Sequence, residues 1–255
     1  MLSRAVVLSP SANFSKGLTS AMLGAPVYAQ ALKQHEAYCA ALEECGLQLL
    51  RLEADERYPD STFIEDAAVI TKRGAIVTRP GAPSRIGEVV RVRKELAQFS
   101  TLSSIHHPGT LDGGDVCEVE NHFFIGISAR TNESGAKQLA EALASWGYPS
   151  SFVDIRDVKG ILHLKSGLGY LGDNRLVVID SLSNCEEFRT YDLSVVNWQE
   201  EYAANCVRVN ERVLVAAGYP RLEKRLGELG YQTIALEMTE FQKMGGGLSC
   251  LSLRY

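Results

Sequence analysis

The sequence predicts an α/β fold in which five similar ββαβ units close into a ring. Hairpin patterns recur along the chain, each with two short apolar runs around a turn that contains Gly or Asn. A helical pattern and a further strand follow two of these hairpins, and the chain ends carry lone strands. Pairing of the two ends would complete a fifth unit and remove an exposed sheet edge.

The unit formed by the two chain ends is split. Its N-terminal part has a strand at 5–9, a helix that ends at Gly46, and a strand at 47–52. In that helix the apolar residues at helical spacing are Tyr28, Leu32, Cys39 and Leu42. The C-terminal part is the lone strand 251–255.

Four hairpins lie between the split ends. Those at 67–79 and 168–179 lead into longer polar stretches, whereas those at 115–127 and 206–217 lead into a helix and then a strand. The predicted helix after the hairpin at 115–127 has apolar residues at helical spacing: Ala136, Leu139, Leu143 and Trp146. The helix after the hairpin at 206–217 has Leu222, Leu226 and Leu229 at such spacing. The alternative is a plain mixed α/β sheet with an accidental repeat.

Composition fits an ordinary globular protein. The 255 residues are 45% hydrophobic and 22% charged, without an apolar run of the length of a spanning helix, so membrane and disordered classes are excluded. The net charge of -5 and the lack of a Lys/Arg run disfavour nucleic acid as a partner. No linker divides the chain, so we expect a single domain over 1–255, and the absence of a signal pattern predicts the cytoplasm.

Cys250 differs from the other five cysteines. The six show no CxxC pair and are predicted to be free thiols. Cys39, Cys117 and Cys206 fall on apolar helix or strand positions typical of packing. Cys250 follows three glycines, which permit close backbone approach, and begins the last strand. It is the candidate nucleophile.

The loops before the first strand of each hairpin should meet at one end of the ring. These loops carry carboxylates, Cys250 and His163, a combination that favours a cysteine hydrolase. The remaining histidines are predicted to lie at the surface: His35, His106, His107 and His122. No metal site is predicted, because no HExxH or paired His/Cys spacing occurs.

Carboxylates raise the pKa of a neighbouring thiol, which suits attack on a cation better than on an ordinary amide. A guanidinium bound between Asp66 and Asp112 would present its carbon to Cys250 and favour the thiolate. His163 could protonate the departing amine and then activate water. Two arginines just beyond second hairpin strands could hold a substrate carboxylate: Arg85 and Arg130.

Short motifs along essentially the whole chain carry a family resemblance: Gly17-Leu-Thr-Ser20, Phe63-Ile-Glu-Asp66, Thr78-Arg-Pro-Gly81, Leu111-Asp-Gly-Gly-Asp115, Ser128-Ala-Arg-Thr131, Leu162-His-Leu-Lys165, Ala203-Ala-Asn-Cys206 and Gly246-Gly-Leu-Ser-Cys250. The chain resembles the dimethylarginine dimethylaminohydrolases, which have the five-bladed pseudo-symmetric α/β propeller, or pentein, fold. The resemblance implies Cys250 as nucleophile, His163 as general acid/base and Asp112 as the supporting carboxylate, where some members carry Glu. It also implies substrate contacts from Leu18, Asp60, Glu65, Asp66, Arg85, Arg130 and the backbone near Met244.

The expected reaction is hydrolysis of dimethylarginine or monomethylarginine to citrulline and a methylamine, through a covalent thiouronium and without a cofactor. The expected partner is therefore a small guanidinium amino acid, and a homodimer is compatible with the sequence. Two alternatives are kept. One is deimination of unmethylated arginine, although arginine deiminases carry an added helical domain for which this chain has no room. The other is a non-catalytic propeller that only binds a ligand.

Overall fold

A computed structural model describes all residues from Met1 to Tyr255. The strands are β1 (Arg4–Leu8), β2 (Gln48–Leu52), β3 (Ala68–Thr71), β4 (Gly74–Val77), β5 (Leu102–Ser104), β6 (Val116–Val119), β7 (His122–Ile127), β8 (Ser150–Asp154), β9 (Leu168–Gly172), β10 (Arg175–Ile179), β11 (Asp192–Val196), β12 (Val207–Val209), β13 (Arg212–Ala216), β14 (Gln232–Leu236) and β15 (Ser252–Arg254). The helices are α1 (Tyr28–Glu44), α2 (Val89–Leu96), α3 (Glu133–Ser145), α4 (Pro220–Glu228) and α5 (Thr239–Gln242).

Five three-stranded sheets share one connectivity. Each middle strand pairs antiparallel with an inner strand and parallel with an outer strand, and the orders are β3-β4-β5, β6-β7-β8, β9-β10-β11, β12-β13-β14 and β15-β1-β2. The inner strands contact one another from sheet to sheet, β6 with β9, β9 with β12 and β15 with β3. The prediction of a five-bladed α/β propeller is confirmed.

The split blade closes the ring. Strand β15 pairs antiparallel with β1, with Ala5 opposite Arg254 and Val6 opposite Leu253, and β2 pairs parallel with β1 on its other side. The first and last strands of the chain therefore lie in one sheet, as the sequence predicts.

All four internal hairpins form as predicted, but three elements after them were not predicted. These are α2 and the outer strands β5 and β11. The blade of β9 to β11 departs furthest from a ββαβ unit, because its crossover contains only the 3₁₀ turns Asp180–Leu182 and Glu186–Phe188. This crossover is short and polar, and its fully buried side chains are Leu182 and Phe188.

The core lies between the sheets and the outer helices. The middle strands β4, β10 and β13 are almost continuously apolar and buried, as expected of strands covered on both faces. Asn132 caps the start of helix α3, because its side chain accepts a hydrogen bond from the Gly135 N–H, and Gly147 after the helix has a φ of 81°. None of the helices combines the length and apolar character that crossing a membrane requires.

The buried face of α1 differs from the predicted one. Tyr28 and Leu32 are exposed, and the face that packs inward contains Ala31, His35, Tyr38, Cys39 and Leu42. The prediction that His35 lies at the surface is therefore wrong. Its ring packs 6.4 Å from that of Phe241, and burial lowers its pKa to about 4, so it is a neutral core residue.

Candidate active site

Five short 3₁₀ turns gather the predicted reactive residues at one end of the propeller axis. Each turn ends within two residues of the inner strand that follows it, and the turns are Ile64–Ala67, Gly113–Asp115, Leu164–Ser166, Trp198–Ala204 and Ser249–Leu251. The first four turns contact one another in order, and the first also contacts the last. The predicted convergence of the loops before the first hairpin strands is thus observed, although the helical form of these turns was not predicted.

The turn that carries Cys250 depends on its glycines. Gly245 has a φ of 73°, a left-handed conformation that side chains disfavour. A Cβ on Gly246 would lie 2.1 Å from the Phe63 ring, and one on Gly247 would lie 2.4 Å from Asn205 Oδ1. These close approaches set the path of the chain into Cys250, whose Sγ accepts a hydrogen bond of 3.4 Å from the Gly247 N–H.

The thiol of Cys250 is a poor nucleophile in the free protein. Desolvation, followed by the charges of Glu65 and Asp66, raises its pKa to about 12. At neutral pH it is therefore protonated, and a cation placed beside it would be needed to favour the thiolate.

His163 and Asp112 form a buried pair. His163 lies just before the 3₁₀ turn rather than on a strand, and its Nε2 is 3.0 Å from Asp112 Oδ2. The other oxygen of Asp112 accepts a hydrogen bond of 2.8 Å from the Gly81 N–H. A Cβ on Gly114 would lie 2.7 Å from His163 Nδ1, so only glycine leaves room for the imidazole.

The carboxylates around His163 keep it protonated. Burial alone would lower its pKa, but Asp66, Asp115 and Asp112 outweigh burial and raise the pKa to about 9. An imidazolium held in this way at neutral pH is suited to donate a proton. Asp115 also holds the turn, because its oxygens accept hydrogen bonds from the Leu164 N–H and the Ser128 hydroxyl.

Arg85 lies between two buried carboxylates. Its guanidinium is 2.6 Å from Asp66 Oδ2 and 2.9 Å from Glu88 Oε2, and it also donates to the backbone carbonyls of Asp60 and Phe63. Burial would raise the pKa of Asp66, but the charges of His163 and Arg85 lower it to about 2. Every nitrogen of the guanidinium thus has a partner within the protein.

A narrow cavity is lined by most of the predicted site residues: Leu18, Asp60, Asp66, Arg85, Arg130, His163, Met244 and Cys250. Asp112 lies behind its wall, fully buried, and reaches the cavity only through His163. Asp60 accepts hydrogen bonds of 2.9 and 3.1 Å from the Leu18 N–H. The wall residues that were not predicted are Phe63, Leu162, Gly245 and Gly246.

Glu65 does not line this narrow cavity. It lines a separate cavity of about 840 Å³, which is bordered by the inner strands of all five blades. Its two oxygens accept hydrogen bonds of 2.6 Å from Lys165 Nζ and 2.8 Å from Ser249 Oγ. We assign the chemistry to the smaller cavity, because Cys250 and His163 line that one. The contact of Glu65 with substrate stays a prediction.

Asp66, Asp112 and His163 place three ligand-type atoms within 4.8 Å of one another. Metal ligation requires a neutral imidazole, whereas the pKa of His163 is raised to about 9. Both carboxylates already accept hydrogen bonds from backbone N–H groups, those of Gly114 and Gly81. The donor chemistry therefore favours a proton-transfer cluster.

Curated relatives match the chain along its whole length. A dimethylarginine dimethylaminohydrolase of Pseudomonas aeruginosa is 42% identical over 257 residues and is covered completely, as is this chain. A dimethylarginine dimethylaminohydrolase of Streptomyces coelicolor is 34% identical over 254 residues, which are 98% of this chain and 96% of the relative. No family model matches the sequence.

Solved structures agree with these relatives. A cysteine-to-serine mutant of the Pseudomonas aeruginosa enzyme in complex with citrulline superimposes with a TM-score of 0.97, at 41% identity and with full coverage of both chains. The N-terminal domain of a cyanobacterial arginine dihydrolase has a TM-score of 0.87 at 19% identity, covering 98% of this chain and 96% of its own, and shows a shared fold alone.

Proposed function

This chain belongs to the family of dimethylarginine dimethylaminohydrolases, and from that membership we propose how its own residues hydrolyse N-omega-methylated arginines to citrulline and a methylamine. One observation carries the assignment of roles. Cys250 and His163 line the same narrow cavity, and His163 is hydrogen-bonded to the buried Asp112. This arrangement supplies a nucleophile, a proton donor and a carboxylate that orients the donor.

The first half of the reaction begins with thiolate formation. The substrate guanidinium favours the thiolate of Cys250 by its charge, and the thiol proton passes to solvent. The sulfur bonds to the central guanidinium carbon, and the bond from that carbon to the methylated nitrogen breaks. His163, protonated at neutral pH, gives its proton to the departing amine. A cationic thiouronium on Cys250 remains beside a neutral imidazole.

The second half regenerates the thiol. Neutral His163 takes a proton from a water molecule as the water oxygen bonds to the thiouronium carbon. The carbon–sulfur bond then breaks and releases citrulline, and the remaining proton leaves the oxygen for solvent or the thiolate. Asp112 keeps the imidazole oriented through both halves, since its two oxygens are fixed by His163 and the Gly81 N–H.

Asp66 and Asp60 support binding of the substrate cation, because both carboxylates line the cavity. Arg130 is the better placed of the two arginines for a substrate carboxylate. Its guanidinium has no protein partner, whereas that of Arg85 is fully engaged. Leu18 and Met244 form apolar parts of the wall and would contact the substrate by packing.

Replacing Arg130 with alanine should raise KM for dimethylarginine by roughly 10- to 100-fold, because a charged hydrogen bond to the substrate carboxylate is lost. The value of kcat should change by less than about threefold, since the chemistry occurs at the other end of the substrate. Steady-state kinetics check this, with the exposed Arg156→Ala as a matched control. A dimethylguanidine substrate without a carboxylate should not distinguish the variant from the wild type. Equal effects on both substrates would contradict the assignment.

We propose further that residues 1–255 form one catalytic unit in the cytoplasm, acting without nucleic acid, membrane or cofactor. Closure of the ring by β1 and β15 supports the single unit. The net charge of -5 supports a small cationic substrate over a phosphate backbone. A homodimer stays a prediction.

Acid quenching during turnover tests the proposed intermediate. Mass spectrometry should find an adduct with the mass of dimethylarginine minus dimethylamine on the peptide that contains Cys250. Arginine assayed beside dimethylarginine measures the selectivity for methylated substrate. An adduct on another residue, or turnover with no adduct under quenching at any time, would contradict covalent catalysis by Cys250. A ligand-binding protein without catalysis would give no adduct and no citrulline.

A further inference from the structure

Asn205 joins the two turns that carry the reactive groups. It follows the 3₁₀ segment Trp198–Ala204, two residues before β12, and is 5% exposed. The mechanism above does not use it, and it does not line the active-site cavity. Its side chain nevertheless makes hydrogen bonds to the Cys250 turn on one side and to the His163 turn on the other.

Two hydrogen bonds tie Asn205 to the nucleophile turn. Its Oδ1 accepts from the Ser249 N–H at 2.9 Å, and its Nδ2 donates to Ser249 Oγ at 2.9 Å. The amide also packs against Gly247, where a Cβ would lie 2.4 Å from Oδ1. Because the Gly247 N–H donates to Cys250 Sγ, Asn205 supports the thiol from both ends of its turn.

One further bond ties Asn205 to the acid/base turn. Nδ2 donates to the backbone carbonyl of Lys165 at 2.6 Å, two residues beyond His163. The side chain of Lys165 bonds Glu65, and Glu65 accepts from Ser249 Oγ at 2.8 Å. Asn205, Ser249, Glu65 and Lys165 therefore form a closed ring of hydrogen bonds between the two turns.

An amide is the group this position requires. It offers one acceptor and two donor hydrogens, and all three are used. A carboxylate would keep the bond to the Ser249 N–H but would turn an acceptor toward the Lys165 carbonyl. It would thus break the link to the His163 turn and keep part of the link to the Cys250 turn.

We propose that Asn205 is a positioning residue that sets the imidazole of His163 relative to the thiol of Cys250. The proposal rests on the roles assigned above to those two residues. Both must reach substituents of a single substrate carbon, and a displacement of about 1 Å costs roughly 100-fold in rate. Loss of the hydrogen bond from Asn205 to the Lys165 carbonyl should therefore impair proton delivery by His163 more than attack by Cys250.

The test compares two leaving groups in Asn205→Asp. Dimethylamine must receive a proton as it leaves, whereas methanethiol from S-methyl-L-thiocitrulline leaves readily as a thiolate. Single-turnover release of dimethylamine should fall by about 10- to 100-fold, and release of methanethiol by less than about threefold. Asn197→Asp makes the same chemical change at the exposed start of the same 3₁₀ segment and should leave both rates unchanged.

The ratio of the two release rates does not depend on how much of the variant is folded. Should Asn205→Asp fold poorly, Asn205→Ala removes the bond to the Lys165 carbonyl without a buried charge. It also removes the bonds to Ser249, so both rates should fall, and release of dimethylamine should fall further. An unchanged ratio, whether both rates fall together or neither falls, would overturn the proposal. Failure of the proposed function itself would appear differently, as wild-type protein that releases neither product.

Discussion

Replacing Cys250 with serine is expected to lower turnover of dimethylarginine by at least about 10³-fold while the free energy of unfolding changes little. A serine hydroxyl has a far higher pKa than a thiol, and the surrounding carboxylates oppose its ionisation still more. The change is nearly isosteric, and the Gly247 N–H can donate to the serine oxygen as it does to sulfur. Citrulline formation and thermal unfolding measure the two effects.

Cys185→Ser is the matched control. Cys185 is also partly exposed, but it lies in the crossover between β10 and β11 and does not line the active-site cavity. It should keep full activity. Normal citrulline production by Cys250→Ser would exclude Cys250 as the nucleophile. Loss of activity accompanied by a large loss of stability would assign Cys250 a structural role instead.

The fold could be predicted largely from hairpins and chain ends. Each hairpin is encoded locally by two apolar runs and a turn, and the β1–β15 pairing follows from two lone strands. The outer strands β5 and β11 gave no such signal. β5 has only three residues, and Asp192 and Val195 of β11 are exposed, so the place of these strands is decided by pairing with a middle strand rather than by their own composition.

The site was predictable as a set of residue types but not as a set of partners. Cys250, His163 and Asp66 could be placed together because their turns occupy equivalent positions before the inner strands. Adjacent residues can line different cavities: Glu65 lines the large cavity and Asp66 lines the active-site cavity. Hydrogen bonds between turns distant in sequence, such as those of Asn205, leave no local pattern.

Arg85 is another residue whose partners could not be predicted from the sequence, and its contacts bear on stability. The sequence suggested that it holds a substrate carboxylate, which would make Arg85→Ala a variant with a raised KM. In the structure its guanidinium separates Asp66 from Glu88, and all three side chains are buried. Removing the cation would leave the buried carboxylate of Glu88 without a counter-charge, and Asp66 would keep only that of His163.

Arg85→Ala is therefore expected to lower the free energy of unfolding by about 3–5 kcal/mol, the usual cost of breaking a buried ion pair by removing one partner. Arg130→Ala, which removes a cation without an ion pair, should leave it nearly unchanged. Urea unfolding of both variants measures the difference. In the double variant Arg85→Met with Glu88→Met, part of the loss should be recovered, because the unpaired charge of Glu88 is gone. Wild-type stability in Arg85→Ala would contradict a structural role.

The pH dependence of that loss provides a second measurement. Burial already raises the pKa of Glu88 to about 7, although Arg85 lowers it. Without Arg85 the folded-state pKa must rise further, while the unfolded value stays near 4.3. The folded variant then binds more protons than the unfolded chain at neutral pH, so its stability falls as pH rises toward that higher pKa. Arg85→Ala should consequently lose more stability relative to wild type at pH 8 than at pH 6, and a loss independent of pH would show that Glu88 is not the group left unpaired.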